Sequence, residues 1–124
     1  MKLIAGFAVL ALTCSAHAQD ATRTELKRGD VTGTSMELVI STTEVKPGET
    51  IARHSHHGEE AVYVLEGATV ELPDGKQIPF TAGTASINFR DVVHAGLKVV
   101  GDKSLKLLTV HAVDKGKPLY EPAK

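Results

Sequence analysis

The sequence predicts an all-β domain, built as a sandwich or a barrel, and three observations support this fold class. Short runs rich in Val, Ile, Leu and Thr are interrupted roughly every eight to twelve residues by Gly, Pro or Asp, which is typical of such folds. Helical periodicity is weak after the apolar N-terminal segment. Pro73-Asp74-Gly75 separates two runs and has the composition of a hairpin turn, because Asp and Gly tolerate the backbone angles required. A chain of 124 residues suffices for one domain and not for two.

The runs divide the chain into four segments. These are an export signal over 1–18, an N-terminal arm over 19–34, a barrel domain over 35–114 and a C-terminal tail over 115–124. We expect the arm to be loose, because it is polar, and the tail to be extended, because it contains two prolines. The predicted strands are 36–41, 50–54, 61–65, 69–72, 77–80, 84–89, 94–99 and 104–113.

The first residues have the pattern of a secretory signal peptide. Lys2 gives a positive start, residues 3–12 form an uncharged apolar run, and residues 16–18 are a small-x-small cleavage site. The apolar run is too short to cross a bilayer as a helix. We therefore predict export to the periplasm, with full secretion as an alternative localisation and a buried N-terminal helix as the structural alternative.

Cys14 is the one cysteine of the chain and raises the alternative of a lipid anchor, although Thr13 is not the small residue that normally precedes a lipidated cysteine. Cleavage after Ala18 removes Cys14, which excludes thiol catalysis and disulfides in the exported domain. It also leaves 13 basic against 15 acidic side chains, without a basic stretch. We therefore expect no nucleic-acid partner and, after signal removal, no membrane partner. Tryptophan is absent, so a stacking platform for sugars or bases is not expected.

Three histidines crowd into four residues, and the strand period separates them. Side chains alternate between the faces of a strand, so His54 and His56 point the same way and His57 points away. Gly58 permits a sharp bend, and Glu60 opens the next apolar run. Two imidazoles and a carboxylate from the adjacent strand offer the nitrogen and oxygen donors that a divalent transition-metal ion accepts. The alternative is a solvated loop that happens to be rich in histidine.

Two spaced motifs make the prediction more specific. The first reads Gly48-x5-His54-x-His56-x3-Glu60-x6-Gly67, and the second reads Gly83-x5-Phe89-x-Asp91-x2-His94-x3-Lys98. Together they resemble the two motifs of the cupin superfamily. Every fixed position of the first is occupied, whereas Phe89, Asp91 and Lys98 replace the usual Pro, Gly and Asn of the second. The resemblance implies a single double-stranded β-helix, a jelly-roll-like barrel, as found in small single-domain cupins with a conserved barrel.

The resemblance also implies one divalent transition-metal ion inside the barrel. Its implied ligands are His54, His56, Glu60 and His94. Fe, Mn, Ni, Co, Cu and Zn all suit three imidazoles and a carboxylate, and the sequence does not choose among them. Glu60 is the one carboxylate expected at the ion, so it is also the candidate catalytic base. A different strand register would make His57 and Glu59 the alternative ligands.

Other polar residues near the motifs are weaker candidates for the site. Arg90 and Asp91 either border the cavity mouth or, the favoured interpretation, belong to a surface turn. His111 lies late in a predicted strand and is expected to be a packed or edge histidine. The interior is expected to be lined by Val, Ile, Leu and Ala, with few polar groups to orient a substrate.

Two functions follow from this reasoning. The first is a metal-dependent enzyme acting on a small polar molecule, since the resemblance implies dioxygenases, decarboxylases and isomerases; a dioxygenase-like reaction is the specific expectation. The second is an exported module that binds a metal or a small ligand without turnover. An inert barrel that has lost its metal is a third reading, against which the intact ligand set argues. Cupins commonly pair through exposed strands, so we expect a homodimer.

Overall fold

The computed structural model describes residues 20–124, which form eleven β-strands and no helix. The all-β prediction is confirmed. The predicted export signal lies outside the described residues, and within them no helix is long and apolar enough to cross a membrane. The strands are β1 (Thr22–Asp30), β2 (Met36–Val45), β3 (Thr50–Ile51), β4 (His54–Ser55), β5 (Gly58–Glu66), β6 (Ala68–Glu71), β7 (Gln77–Phe80), β8 (Ala85–Asn88), β9 (Leu97–Val100), β10 (Leu105–Asp114) and β11 (Glu121–Pro122).

Two antiparallel sheets form the body of the barrel. One has five strands in the order β1-β2-β10-β5-β8, and the other has four in the order β3-β9-β6-β7. β11 pairs with β4 as a separate two-stranded sheet at one end. A core of eight buried apolar residues comes from both larger sheets, which therefore pack face to face, as jelly-roll sheets do.

The register of the central strands divides the interior into an apolar half and a polar half. At one end, Leu105 of β10 lies opposite Val45 of β2, and both are fully buried in the core. At the other end, His111 of β10 lies opposite Glu60 of β5, and Thr109 lies opposite Ser41. These four are also buried. A buried polar group is costly unless it is paired, so the polar half is the place to look for a functional site.

Two segments differ from the sequence-based expectations. Residues 22–30 are an edge strand of the five-stranded sheet, β1, rather than part of a loose arm. The sequence lacks the alternation of a half-buried strand because β1 is exposed on nearly every residue and pairs with one neighbouring strand, β2, on one side. Its charged side chains also protect the sheet edge from further pairing. The C-terminal tail, in turn, contributes β11, which pairs with β4 beside the polar half of the barrel.

Candidate metal centre

Four polar side chains converge in the polar half of the barrel. One donor atom from each of His54, His56, Glu60 and His94 lies within 4.8 Å of the donor atoms of the others. The Nε2 atom of His56 is 3.1 Å from Nε2 of His54 and 3.2 Å from Nε2 of His94. The Oε2 atom of Glu60 is 3.3 Å from Nε2 of both His56 and His94. The structure thus brings together the four residues that the two sequence motifs single out.

Three separate segments supply these residues. His54 belongs to β4, and its backbone exchanges two hydrogen bonds with that of His94, at 3.1 and 2.9 Å. Glu60 comes from β5, in the adjoining sheet. The loop before β9 turns sharply, with φ values of 59° at Asp91 and 63° at Ala95. Asp91 therefore adopts the left-handed conformation at the position where the related motif has Gly, and Asp tolerates that conformation better than most residues.

The outer ring nitrogens show which way the imidazole lone pairs point. Nδ1 of His54 donates to the carbonyl of Ala52 at 2.7 Å, and Nδ1 of His94 donates to that of Val92 at 2.9 Å. Nδ1 of His56 donates to the carbonyl of Leu119 at 2.6 Å. A carbonyl accepts only, so each Nδ1 carries the proton, and each neutral ring then presents an Nε2 lone pair to the same point. Carbonyls that fix the tautomer in this way are typical of metal-ligating histidines.

The charge balance of the cluster also fits a cation. Within residues 20–124, no Lys or Arg lies within ion-pair distance of the Glu60 carboxylate, which is 6% exposed. Burial opposes a positive charge on His94, yet the Glu60 carboxylate and the Val92 carbonyl together outweigh it and raise the pKa of His94. Three lone pairs and a carboxylate at these distances repel one another unless a positive charge lies among them. The four residues therefore suit a divalent transition-metal ion.

Glu60 is oriented by a neighbour on each side of its strand. Asn88 lies opposite it on β8 and donates to Oε2 at 2.8 Å. His111 lies opposite it on β10, with Nε2 3.3 Å from Oε1 but outside hydrogen-bond geometry. Burial raises the pKa of Glu60, but the contacts with His111, His56 and His94 outweigh it and hold that pKa well below its usual range.

His111 is packed, as expected, but it is a neighbour of the centre rather than an edge residue. It is fully buried on the central strand β10, and its Nδ1 has no hydrogen-bond partner. Its ring is 4.5 Å from that of His56, edge to face. Burial lowers its pKa and favours the neutral ring. His111 has the same parity along β10 as the inward-facing Leu107 and Thr109. This parity was the signal in the sequence that the His111 side chain points into the barrel.

The C-terminal tail completes the centre, which the sequence did not reveal. Besides the Leu119 carbonyl, it supplies Tyr120, whose ring lies 4.8 Å from that of His54 and 5.0 Å from that of His56. Burial raises the pKa of Tyr120 to about 12, so the phenol remains protonated. Next to it, Glu121 accepts a hydrogen bond from Nε2 of His57 at 3.0 Å. The His57 side chain, which points away from the centre, thus anchors the tail through Glu121.

The remaining candidates lie outside the cluster. His57 faces the tail, as the strand period predicts, and Glu59 is exposed, so neither alternative ligand lies in the cluster. Arg90 makes a double hydrogen bond to Asp114, both at 3.0 Å, and Asp91 is an exposed turn residue. The favoured surface interpretation of Arg90 and Asp91 agrees with these positions.

An inner cavity of about 150 Å³ adjoins the cluster and is more polar than expected. His54, Glu60 and His94 line it, and so do four further polar side chains, Thr43, Ser86, Asn88 and Thr109. The hydroxyl of Thr109 is buried without a partner. The expectation of an aliphatic interior with few polar groups is wrong here, because polar positions of β2, β8 and β10 face the same cavity as the candidate ligands. The site therefore has groups that can orient a polar molecule.

Comparison with known proteins agrees with this architecture. The family model described as "Cupin domain" matches residues 41–111. A protein with a double-stranded β-helix domain from Klebsiella pneumoniae has a TM-score of 0.63 at 20% identity, covering 85% of each chain. The polyketide cyclase RemF from Streptomyces resistomycificus has a TM-score of 0.60 at 27% identity, covering 86% of this chain and 73% of its own.

A cupin superfamily protein from Desulfitobacterium hafniense is also similar, with a TM-score of 0.57 at 18% identity and coverage of 80% and 83%. No curated protein matches the chain significantly. The family model spans more than half of the sequence and includes both motifs, and the strands around them form the expected two-sheet barrel. The chain belongs to the cupin family.

Proposed function

We propose that the protein binds one divalent transition-metal ion through His54, His56, Glu60 and His94 and acts on a small polar organic molecule in the adjoining cavity. The observation that carries the proposal is the convergence of three Nε2 lone pairs and a buried carboxylate, each imidazole held by a backbone carbonyl. A bound ion with an open position supplies Lewis-acid or redox chemistry to a neighbouring ligand.

The chain's own residues have distinct tasks in this proposal. Glu60 is the carboxylate ligand in this proposal, and as the one carboxylate of the cluster it is also the candidate catalytic base. Asn88 orients its carboxylate, and the free hydroxyl of Thr109 is available to hydrogen-bond a polar substrate in the cavity.

The proposal includes two forms of reaction. Dioxygenase-like chemistry is the first form. RemF, 27% identical, is a polyketide cyclase, which supports a second form in which an organic molecule is rearranged without oxidation. Oxygen uptake by protein loaded with each candidate metal, measured against phenols, diketones and small carboxylates, separates the two. Uptake above the metal-free rate supports dioxygenase-like chemistry, whereas conversion without uptake supports the second form.

The alternative is a binding module without turnover. It is favoured by the covering of the centre, since the tail packs Tyr120 against two of the ligands and the inner cavity holds only about 150 Å³. Tight metal retention with no conversion of any compound would support this alternative over an enzyme.

Metal analysis tests the premise that both functions share. We expect about one ion per chain, and the double substitution His54→Ala and His56→Ala should abolish binding. His57→Ala is the matched control, since His57 is adjacent in sequence but faces Glu121. Retention of full metal content by the double variant would contradict the ligand assignment.

We also propose that two copies of the chain associate. The outer face of the five-stranded sheet exposes apolar side chains on neighbouring strands, including Tyr63 (45% exposed) and Ile87 (58% exposed). Contiguous exposed apolar surface is typical of interaction sites. Light scattering should give a dimer that Ile87→Lys converts to monomer, and a wild-type monomer would contradict the proposal.

Export to the periplasm remains a separate proposal, supported by the charged start, apolar run and cleavage pattern of residues 1–18. Mass spectrometry of protein from the exported fraction of a bacterial host should show a chain that begins at Gln19. A chain that retains residue 1 and stays in the cytoplasm would contradict it.

A further inference from the structure

We propose that the molecule handled at this centre carries a carboxylate and that Arg23 binds that carboxylate. The placement of Arg23 is independent of the metal, but the link to a substrate rests on the proposed function. The observations concern a second cavity, the charges around it, and Arg23, whose head group bonds to the buried Ser41 hydroxyl.

The second cavity, of about 300 Å³, lies directly beside the candidate metal centre. It shares four lining residues with the inner cavity, namely Thr43, Ile51, His54 and Tyr120. His54 is a candidate ligand, so a molecule in this outer cavity contacts the same side chains as a molecule beside the ion. We call the two spaces the inner and outer cavities; the Tyr120 ring is part of the wall of both.

Arg23 lies on the wall of the outer cavity and is directed inward. It pairs with the inward-facing Thr43 across β1 and β2, and it is partly buried on a strand whose other residues are exposed. Its guanidinium carbon lies 5.6 Å from the centre of the Tyr120 ring, and one terminal nitrogen donates to the Ser41 hydroxyl. Its Nε is buried with no hydrogen-bond partner.

Arg23 makes no direct ion pair within the described part of the chain, since no carboxylate there lies within ion-pair distance of it. Arg28, on the same strand, shows the contrast, because it bonds to both Glu25 and Glu37. A guanidinium offers five donors in a planar fork that matches a carboxylate, and a partly buried cation without a partner is costly. An incoming carboxylate would pair with the guanidinium where it lines the outer cavity and would neutralise its charge.

Arg53 adds a second positive charge to the same wall. Its aliphatic stem packs on Gly96, where a Cβ would lie 2.5 Å from the Arg53 Cγ atom, so the absence of a side chain there gives the stem its place. Asp20 is the single carboxylate lining the outer cavity. With two arginines against one acid, the wall has an excess of one positive charge, which fits a monoanionic ligand. Benzoate and its neutral isostere benzamide are therefore suitable probes.

The test measures benzoate and benzamide binding calorimetrically with the full chain, metal-free and metal-loaded. We expect benzoate to bind and benzamide to bind much more weakly, and the Arg23 Nε–H resonance to shift only with benzoate. Arg23→Gln should weaken benzoate binding about tenfold or more, because a charge-assisted pair is lost. Lys27→Gln, which removes a charge from the exposed side of the same strand, is the control and should have no effect.

Several results would overturn the inference. These are equal binding of benzoate and benzamide, no saturable benzoate binding at millimolar concentration, or equal weakening by Arg23→Gln and Lys27→Gln. Inorganic phosphate binding in place of benzoate would also overturn it. Arg23→Lys, which keeps the charge, checks that a loss in Arg23→Gln is not misfolding and should restore part of the affinity. Benzoate binding through Arg23 in a protein that holds no metal would support this inference and contradict the proposed function alone.

Discussion

Ending the chain after Pro118 is expected to weaken metal binding, although none of the four candidate ligands is substituted or removed. The truncation removes the carbonyl of Leu119, which accepts the Nδ1 proton of His56 at 2.6 Å. It also removes the Tyr120 ring and the pairing of β11 with β4. No side-chain substitution removes a backbone carbonyl, so truncation is the direct way to test the role of this contact.

The magnitude follows from the contact that is lost. Loss of a hydrogen bond that orients a ligating histidine typically costs about ten- to hundredfold in metal affinity, or about 1.4 to 2.8 kcal/mol. Within residues 20–124 the Leu119 carbonyl is the one hydrogen-bond partner of His56 Nδ1. The truncation removes this bond together with the Tyr120 ring contact and the β11–β4 pairing, so we expect the upper part of this range. Competition with a chelating indicator of known affinity measures the change.

Two further variants separate the carbonyl from the rest of the tail. Tyr120→Leu keeps the Leu119 carbonyl and should cost less affinity than the truncation. Ending the chain after Pro122 keeps both residues and removes one backbone bond, from Ala123 to Arg53, so affinity should be unchanged. A truncated protein that keeps the wild-type circular dichroism spectrum and binds metal as tightly as wild type would refute the reasoning.

Three other outcomes are expected. Asn88→Ala, which removes the 2.8 Å hydrogen bond to Glu60, should weaken metal binding about tenfold in the same competition assay. Gly58→Ala should lower the free energy of unfolding by about 3 kcal/mol or more, because the added Cβ would lie 1.9 Å from a carbonyl oxygen of β10. The matched control is Gly29→Ala, whose added Cβ would have no atom within 4 Å. Burial lowers the pKa of His111 below its usual 6.5, so its contribution to stability is present above pH 6.5 and is lost as pH falls. Urea unfolding between about pH 8 and 5 should show this loss, and His111→Gln should reduce it.

Each of these three has a result that would count against it. Unchanged affinity in Asn88→Ala would mean that the carboxylate is oriented by its other neighbours alone. Equal stability of the two alanine variants would show that β5 and β10 can separate at Gly58 without cost. An unfolding midpoint in His111→Gln that depends on pH as strongly as in wild type would assign the acid sensitivity to other groups.

The predictable part of the site is the part that depends on local geometry. The alternation of side chains along a strand was enough to assign His54 and His56 to one face and His57 to the other, and the structure agrees. The resemblance of the two motifs to those of cupins added Glu60 and His94. The first inference needs only the strand period, which is a property of short segments, whereas the second depended on the family resemblance.

The missed part depends on contacts between distant segments. Leu119 acts on His56 through its backbone, 63 residues away in sequence, so its side chain carries no signal of the role. Asn88 and His111 flank Glu60 only because of the register of three strands, which the sequence does not specify before the sheet is known. The edge strand β1 was missed for a related reason, since backbone pairing on one side requires no hydrophobic pattern.

The inner cavity is bounded partly by the folding core and partly by polar side chains outside it. Two of the eight apolar core residues, Leu97 and Leu107, line the cavity together with the candidate ligands, so their exchange would change both the packing and the site. Thr43, Ser86 and Thr109 line the inner cavity outside that core. Substitution of these three residues is therefore the direct way to change which molecules the cavity binds, with little expected loss of thermal stability.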